Sequence, residues 1–217
     1  MRPIRMGLLY RFVLCVTWCY FKLFYSYRVY GLSHFPKGGA ILAANHVSFY
    51  DPPLVSVSSI EEVHFLARKS LFKRLFGSFI RALNAHPLSG DVGSIGVIRS
   101  ITDLLKRGKK VVLFPEGKRS FTGELSEIKP GISLLISKTG AAIVPVYIAG
   151  AYDVWPRRRK RPKLGGRLAC IFGTPIRWEA FADLPREEAS RAVSTRLTES
   201  LLALKTWYEA GAQGTPP

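Results

Sequence analysis

The sequence is poor in cysteine and lacks an apolar run long enough to cross a membrane comfortably. Its three cysteines among 217 residues exclude a disulfide framework, so a reducing compartment is the simpler inference. The apolar stretch near the N-terminus extends only over residues 12–21, whereas spanning a bilayer takes about 20 residues. We therefore predict that residues 1–30 form a helical segment that lies in or dips into one leaflet. A short transmembrane helix and an ordinary core helix are the alternatives; a secretory signal is disfavoured because no clear small-residue cleavage site follows.

Acidic residues are also scarce. The chain has 15 Asp and Glu residues against 32 Lys and Arg residues, which gives a formal net charge of +17, and the first fifty residues contain no acidic residue. A positive field of this strength attracts anionic partners such as nucleic acid, an anionic membrane surface or a phosphate-bearing metabolite or carrier. Because the sequence contains no helix-turn-helix, zinc-finger, KH or RRM pattern, we do not expect nucleic acid to be the partner.

Two basic segments with aromatic residues are candidates for membrane contact. The N-terminal segment combines aromatic rings that favour the headgroup level with cationic side chains that can reach it. The run 157–163 has six basic residues in seven; a solvated loop is the alternative interpretation of it. Each basic residue near an anionic bilayer adds about 1 kcal/mol, so we predict peripheral or monotopic attachment at the cytoplasmic face of a membrane. The predicted membrane-binding residues are Arg11, Trp18, Lys22, Arg157, Arg158 and Arg159.

Short apolar runs alternate with amphipathic segments after residue 30. The runs have the length of buried strands, and the segments between them repeat apolar residues at helical spacing. This alternation predicts an α/β domain with a mixed, largely parallel sheet flanked by helices. The expected strands are 40–44, 63–67, 110–114, 141–148 and 167–172; the expected helices begin at 51, cover 71–83, 95–105 and 131–138, and begin again near 183.

His46 and Asp51 stand five positions apart, just after the expected strand 40–44. The chain reversal between them can bring the carboxylate to one ring nitrogen, which fixes the tautomer and leaves the other nitrogen free to accept a proton. The sequence has no Gly-x-Ser-x-Gly elbow, and its cysteines lack the local features of an activated thiol. A hydroxyl activated by this pair would therefore belong to a substrate. A structural hydrogen-bond pair is the alternative.

A second polar segment, Phe114-Pro115-Glu116-Gly117-Lys118-Arg119-Ser120, follows the expected strand 110–114. Gly117 permits a tight turn, Arg119 offers a planar fork suited to phosphate, and Glu116 can accept from a glycerol hydroxyl or hold a neighbouring cation. Taken alone, the segment could be an ordinary surface turn. The sequence contains no metal-ligand cluster and no Walker loop, and its series Gly90-x-x-Gly93-x-x-Gly96 has the wrong spacing for a dinucleotide-binding loop.

Together the two segments resemble the conserved blocks of the glycerolipid acyltransferase family, typified by 1-acyl-sn-glycerol-3-phosphate acyltransferase. That family carries an Asn-His-x4-Asp block, matched by Asn45, His46 and Asp51, and a Phe-Pro-Glu-Gly-x-Arg-Ser block, matched at 114–120. The similarity extends over roughly residues 30–178. A further family block usually ends in an arginine, which is absent from His86-Pro87-Leu88-Ser89-Gly90. Shorter matches lie at 67–72, 129–131, 143–146 and 172–176.

The resemblance implies a glycerol-3-phosphate acyltransferase-like fold and a direct acyl transfer. In this mechanism Asp51 orients His46, and His46 takes the proton from the free hydroxyl of 1-acyl-sn-glycerol 3-phosphate (lysophosphatidic acid). The oxygen then attacks an acyl thioester and phosphatidic acid forms without an acyl-enzyme. Arg119, with Lys69 by its position in the preceding block, would hold the substrate phosphate. The other implied substrate-binding residues are Glu116, Gly117 and Ser120.

The resemblance implies no metal and no cofactor beyond the co-substrate, which is acyl-CoA or an acyl-carrier protein. We divide the chain into the membrane-associating segment 1–30, an acyltransferase domain 31–210 and a flexible tail 211–217. Alternatives within the family are transfer to another lysophospholipid, to glycerol 3-phosphate or to an aminolipid. An alternative of another class is a non-catalytic basic module that binds membranes or nucleic acid.

Overall fold

The chain folds around a seven-stranded sheet in a computed structural model, which describes residues 7–88, 95–129 and 131–217. Continuous apolar runs are typical of strands that are covered on both faces, and all five residues of the run Ala40–Ala44 are buried. The strands are β1 (Ser26–Tyr30), β2 (Ala40–Ala44), β3 (Val63–Arg68), β4 (Ala85–Leu88), β5 (Lys110–Leu113), β6 (Ala142–Ala149) and β7 (Arg167–Phe172).

The strands lie in the order β1-β7-β6-β2-β5-β3-β4. Every neighbouring pair runs parallel except β6 and β7, which are antiparallel. The expected mixed, largely parallel sheet is therefore confirmed. Because β3, β5, β2 and β6 are adjacent and parallel, the loops that follow them leave the sheet at the same edge.

Both edge strands of the sheet were missing from the sequence-based expectation. β1 lies inside the segment 1–30 that we interpreted as membrane-associating, and it pairs along its whole length with β7. The division at residue 30 thus separates a strand from its sheet. β4 contains Pro87, a residue that a parallel sheet tolerates at an edge because the missing N–H would face away from the neighbouring strand.

Helices cover both faces of the sheet. The helix expected over 71–83 begins only at Arg74, after a 3-10 turn at Lys69–Leu71. The last helix begins at Arg186, with Pro185 as its N-cap residue and not inside the first turn. The helices are α1 (Leu8–Phe24), α2 (Asp51–Ser58), α3 (Arg74–Ala82), α4 (Ile95–Lys106), α5 (Ile132–Thr139), α6 (Ala151–Val154) and α7 (Arg186–Glu209).

The core has two main parts, one on each face of the sheet. Leu42 and Ala44 of β2 belong to the part that packs against α1 and α2. Ile41 and Ala43 belong to the part that packs against α4, α5 and α7. Since successive side chains of a strand point to opposite faces, β2 is fixed in register by both layers. The carboxyl end of β2, which leads to His46, is therefore fixed in position by the core.

Among the described residues, no helix is long and apolar enough to cross a membrane. α1 contacts the domain through tyrosines: the Tyr10 hydroxyl accepts from the Val63 N–H at 3.1 Å, and the Tyr20 and Tyr50 hydroxyl oxygens are 2.7 Å apart. Its opposite side exposes apolar side chains to solvent. The exposed members include Leu8, Phe12, Val16 and Leu23.

The segment 211–217, interpreted as a tail, contacts the domain at two points. The Trp207 indole N–H donates to the Gln213 carbonyl at 2.9 Å, and the Thr174 N–H donates to the Pro217 carbonyl at 3.0 Å.

The glycine series at 90–96 and the segment His86–Gly90, which we aligned with the further family block, fall partly on residues 89–94, outside the described residues. In another alignment the family block would end at Arg81, which lies on α3.

Candidate active site

The site lies at the carboxyl ends of four adjacent strands. The loop after β2 carries His46, the loop after β5 carries Glu116 and Arg119, β3 ends at Arg68, and β6 leads through α6 into the basic run 157–163. In α/β sheets the carboxyl ends of parallel strands are the usual position for ligands. Segments that are far apart in the sequence therefore meet at one edge.

His46 and Asp51 are in direct contact. Nδ1 of the ring lies 2.7 Å from Oδ2 of the carboxyl group, so the contact predicted from their spacing is confirmed. The imidazole is stacked on the Phe114 ring, with 4.0 Å between the centroids, and its side chain is 18% exposed. Within the described residues the other nitrogen, Nε2, has no hydrogen-bond partner. The ring is thus held from one side and open at Nε2.

Asp51 is fully buried and organises the loop around it. Its Oδ2 accepts from the backbone N–H groups of Val47 and Ser48, each at 2.7 Å, as well as from His46. The pKa of the Asp51 carboxyl is raised because the effect of burial exceeds that of the hydrogen bonds from His46 and from the two backbone groups, which lower it. Because three N–H groups converge on one oxygen, these contacts stabilise the ionised form. A carboxylate in this position keeps a proton on Nδ1 and so leaves Nε2 as the basic atom.

Glu116 joins the two motif loops. Its Oε1 accepts from the His46 backbone N–H at 2.7 Å, and its Oε2 accepts from the Ser126 N–H at 2.9 Å. The residue is 2% exposed, and burial raises the pKa of its carboxyl group while these hydrogen bonds oppose the rise. Since each oxygen accepts a backbone N–H inside the protein, Glu116 braces the two loops; its expected contact with a glycerol hydroxyl stays a prediction.

Gly117 and Ser120 also shape the loop. Gly117 adopts a φ of 72°, and its N–H donates to the Phe114 carbonyl at 2.9 Å, which confirms the tight turn. The Ser120 N–H donates to the His46 carbonyl at 2.7 Å, and its buried hydroxyl accepts from the Gly123 N–H at 3.1 Å. The backbone of His46 is therefore held on both sides by the loop after β5.

Arg119 lies near the His46–Asp51 pair and has unused hydrogen-bonding capacity. Its guanidinium carbon is 3.6 Å from the centroid of the Phe49 ring. Its Nη1 is buried and has no hydrogen-bond partner among the described residues. Burial lowers the pKa of Arg119, and the positive charges of Arg157 and Arg68 lower it further, against the opposing effect of Asp51. A buried guanidinium N–H without an acceptor is suited to an anionic ligand.

Arg68 is a site residue that the sequence-based reasoning missed. The prediction selected the next residue, Lys69, which is exposed on the 3-10 turn after β3. Both side chains are exposed, and the positive charge of Arg68 acts on Arg119 together with that of Arg157. The expected contact of Lys69 with a phosphate stays a prediction.

The predicted membrane-binding residues occupy two different environments. Arg11, Trp18 and Lys22 are exposed on α1, and Arg158 and Arg159 are exposed in the basic run. Arg157 is half-buried beside the two motif loops. Asn45, which matches the first family block but was assigned no role, bonds with its side-chain amide to both backbone groups of Ile148, at 3.2 and 2.7 Å. It ties the loop after β2 to β6.

Comparisons with known proteins agree with this geometry. The Acyltransferase family model matches residues 26–149. The 1-acyl-sn-glycerol-3-phosphate acyltransferase of Bacillus subtilis is 28% identical over 82% of this chain and 87% of its own length. The chloroplast enzyme of the same name from Arabidopsis thaliana, LPAT1, is 28% identical over 70% of this chain and 44% of its own length.

A solved structure is also similar. The crystal structure of PlsC, the 1-acyl-sn-glycerophosphate acyltransferase of Thermotoga maritima, superposes with a TM-score of 0.75 and 26% identity, covering 90% of this chain and 79% of that protein. It shares the mixed α/β architecture described above. Since the family model matches more than half of the sequence and begins at the first residue of β1, the chain belongs to the Acyltransferase family and is an acyltransferase.

Proposed function

We propose that this acyltransferase acts in phospholipid synthesis and transfers a fatty acyl group from a thioester to the free hydroxyl of 1-acyl-sn-glycerol 3-phosphate, giving phosphatidic acid. One observation carries the proposal: the open Nε2 of a carboxylate-held histidine and an unpartnered buried guanidinium N–H lie in one site. The first can accept a hydroxyl proton, and the second can hold a phosphate. The names of the similar proteins support the same acceptor.

In the proposed mechanism His46 acts as a general base. Nε2 takes the proton of the acceptor hydroxyl while the oxygen attacks the thioester carbonyl, and Asp51 stabilises the imidazolium that forms. The tetrahedral intermediate then collapses, the C–S bond breaks, and His46 returns the proton to the departing thiolate. The hydroxyl oxygen ends in the new ester bond. No bond between the enzyme and the acyl group is formed, which agrees with a site that is built around a base.

The phosphate of the acceptor would fix its hydroxyl near His46. In this proposal the guanidinium groups of Arg119 and Arg68 bind the phosphate oxygens, since charge-assisted hydrogen bonds of this kind are strong and directional. Holding the acceptor at a fixed distance from the base converts a bimolecular encounter into a reaction within one complex. The phosphate thus contributes to the rate although it does not react.

The donor is acyl-CoA or an acyl-carrier protein, and we propose no cofactor beyond it. Both donors are anionic, so a chain with a net charge of +17 attracts either of them. We further propose that the enzyme works as a peripheral protein at the cytoplasmic face of a membrane, because its acceptor is a lipid and α1 exposes apolar side chains. Apolar side chains at a helix surface can enter the headgroup region of a bilayer.

An acceptor panel tests the proposed function. The purified protein is given one acyl thioester and, separately, lysophosphatidic acid, lysophosphatidylcholine, monoacylglycerol and glycerol 3-phosphate. We expect transfer to lysophosphatidic acid to have the highest kcat/KM. Transfer to another acceptor with none to lysophosphatidic acid would refute the proposed acceptor. Incubation with the thioester alone, followed by intact-protein mass measurement, tests the direct mechanism, and a stable acylated protein would contradict it.

A further inference from the structure

The basic run 157–163 begins at the catalytic loop. The backbone of Pro156 forms an isolated antiparallel bridge with Ser48, and the Ser48 hydroxyl donates to the Trp155 carbonyl at 2.8 Å. The ring of Trp155 packs against Phe49, with 4.9 Å between the centroids. A backbone bridge, a side-chain hydrogen bond and an aromatic contact thus fix Trp155 and Pro156, just before Arg157, against the loop that carries His46 and Asp51.

The side chain of Arg157 is fixed as well. Its guanidinium carbon lies 4.2 Å from the centroid of the Phe121 ring, just beyond the loop that carries Arg119. Arg157 is half-buried, whereas residues 158–161 are exposed. Among the charged groups that lower the pKa of Arg119, Arg157 is the strongest, ahead of Arg68. Arg158 also lies near the Phe121 ring, but at 5.6 Å and exposed, so Arg157 is the arginine of the run that packs closest to this ring.

Three arginines thus converge without an acidic partner of their own. None of the ion pairs found in the described part of the chain includes Arg68, Arg119 or Arg157. The carboxyl group whose charge acts on Arg119, that of Asp51, is committed through Oδ2 to His46 and the backbone. Like charges held close together repel one another unless an anion lies between them. A dianionic phosphate would offset this repulsion and satisfy the orphaned Nη1 of Arg119.

We infer that Arg157 is a substrate-binding residue that contacts the phosphate of the acceptor beside Arg119, and that it is not primarily a membrane contact. The inference rests on the proposed function, because it assumes a phosphate-bearing acceptor. This chain lacks the arginine with which the further family block usually ends. Arg157 would supply a third positive charge to the site, beside those of Arg68 and Arg119. The aromatic supports hold two of the guanidinium groups in place: Phe49 under Arg119 and Phe121 under Arg157.

Steady-state kinetics test the assignment. Arg157→Ala and Arg157→Lys are compared with the wild type and with Arg161→Ala, which removes the same charge from an exposed position of the same run. We expect Arg157→Ala to raise the KM for lysophosphatidic acid about tenfold, which corresponds to about 1.4 kcal/mol, with kcat and the donor KM nearly unchanged. Arg157→Lys should recover part of the loss, and Arg161→Ala should behave as the wild type.

Binding measurements separate this inference from the membrane alternative. Sedimentation with vesicles of phosphatidylcholine and phosphatidylglycerol should show the same small loss for Arg157→Ala and Arg161→Ala. Equal acceptor KM values for the two alanine variants would overturn the inference, because both residues would then serve only the membrane. A rise in the donor KM in place of the acceptor KM would overturn it too, since the phosphate would belong to the donor.

Direct titration with glycerol 3-phosphate distinguishes failure of the inference from failure of the proposed function. If the wild type does not acylate lysophosphatidic acid, the proposed acceptor is wrong. The Kd for glycerol 3-phosphate still tests Arg157 in that case. An approximately tenfold weaker Kd for Arg157→Ala, with no change for Arg161→Ala, supports a phosphate contact, and equal Kd values refute it.

Discussion

The loops at the carboxyl ends of the strands and the helix α1 solve different physical problems. In the loops, polar groups are fixed by short hydrogen bonds: Oδ2 of Asp51 has three N–H donors, and Glu116 bridges two backbone groups. α1 instead leaves Leu8 85% and Leu23 77% exposed and contacts the domain through a few tyrosines. The proton transfer that we propose for the loops requires distances fixed to tenths of an ångström, whereas the attachment to a lipid surface that we propose for α1 requires only exposed apolar area.

The sharpest test of this contrast is His46→Ala. We expect kcat to fall about 10²- to 10⁴-fold, because the variant lacks the general base, while binding to anionic vesicles is unchanged. Initial rates and vesicle sedimentation measure the two properties on the same preparation. His34→Ala is the matched control, since it removes a histidine that contacts the Phe172 carbonyl and is assigned no part in the chemistry. Wild-type turnover by the His46 variant would refute the mechanism.

Glu116→Gln probes the bracing of the site. A glutamine can accept from only one of the two backbone N–H groups, so its amide nitrogen would face the other donor. A buried donor left without a partner costs about 1–3 kcal/mol, and we expect a loss of this size in the free energy of unfolding together with an approximately tenfold lower kcat. Chemical denaturation and initial rates measure these quantities.

The control for the brace is Glu124→Gln. Glu124 pairs with Lys205 at 2.8 Å on the surface and is 70% exposed, and such pairs contribute little to stability. The same chemical change is thus made at an exposed site. Equal losses for the two glutamine variants would contradict the bracing role of Glu116.

Polar substitutions on α1 should have the opposite profile. The triple variant Phe12→Ser, Val16→Ser, Leu23→Ser removes exposed apolar side chains that would contribute up to about 1.5–3 kcal/mol each on full burial. We expect vesicle binding to weaken at least tenfold, with unchanged turnover of a short-chain, water-soluble lysophosphatidic acid. A triple variant at exposed positions elsewhere, Ile60→Ser, Leu184→Ser, Leu202→Ser, is the control. Equal vesicle binding of the two triple variants would count against α1 as the membrane contact.

The smallest expected effect on activity lies outside both regions, at His64 and His86. Nδ1 of His64 is 3.0 Å from Nε2 of His86, and two neutral imidazoles can share this hydrogen bond whereas two protonated ones cannot. Burial, followed by the charge of His86, lowers the pKa of His64 to about 4 from an ordinary value of 6.5. The folded state thus binds fewer protons than the unfolded state between these two pH values. Stability should therefore be full above about pH 6.5 and fall towards pH 4.

We expect the free energy of unfolding to fall by about 1–3 kcal/mol between pH 7.5 and pH 5, measured by urea denaturation. His64→Gln should flatten the dependence because the group that titrates is gone. An unchanged pH dependence in that variant would show that other groups cause the acid sensitivity. Since His64 and His86 lie on β3 and β4, kcat at neutral pH should be nearly unaffected.

Prediction from the sequence succeeded where the signal is local. The run 40–44 is apolar throughout and lies in the middle of the sheet, and the five-residue spacing of His46 and Asp51 is closed by a single chain reversal. The edge strands β1 and β4 escaped notice because their residues do not resemble buried strands. β1 lies in an aromatic segment that suits a membrane surface equally well, and β4 contains Pro87.

The sequence by itself determined the fold class, the two motif loops and the candidate base that they present, because periodicity and short-range spacing encode those features. Only the tertiary structure decided that the charge of Arg68 acts on Arg119, that Glu116 braces the two loops, and that Arg157 packs against Phe121. These contacts join residues that are tens of positions apart. Their positions depend on the order of parallel strands, which brings distant loops to one edge of the sheet and which no local pattern contains.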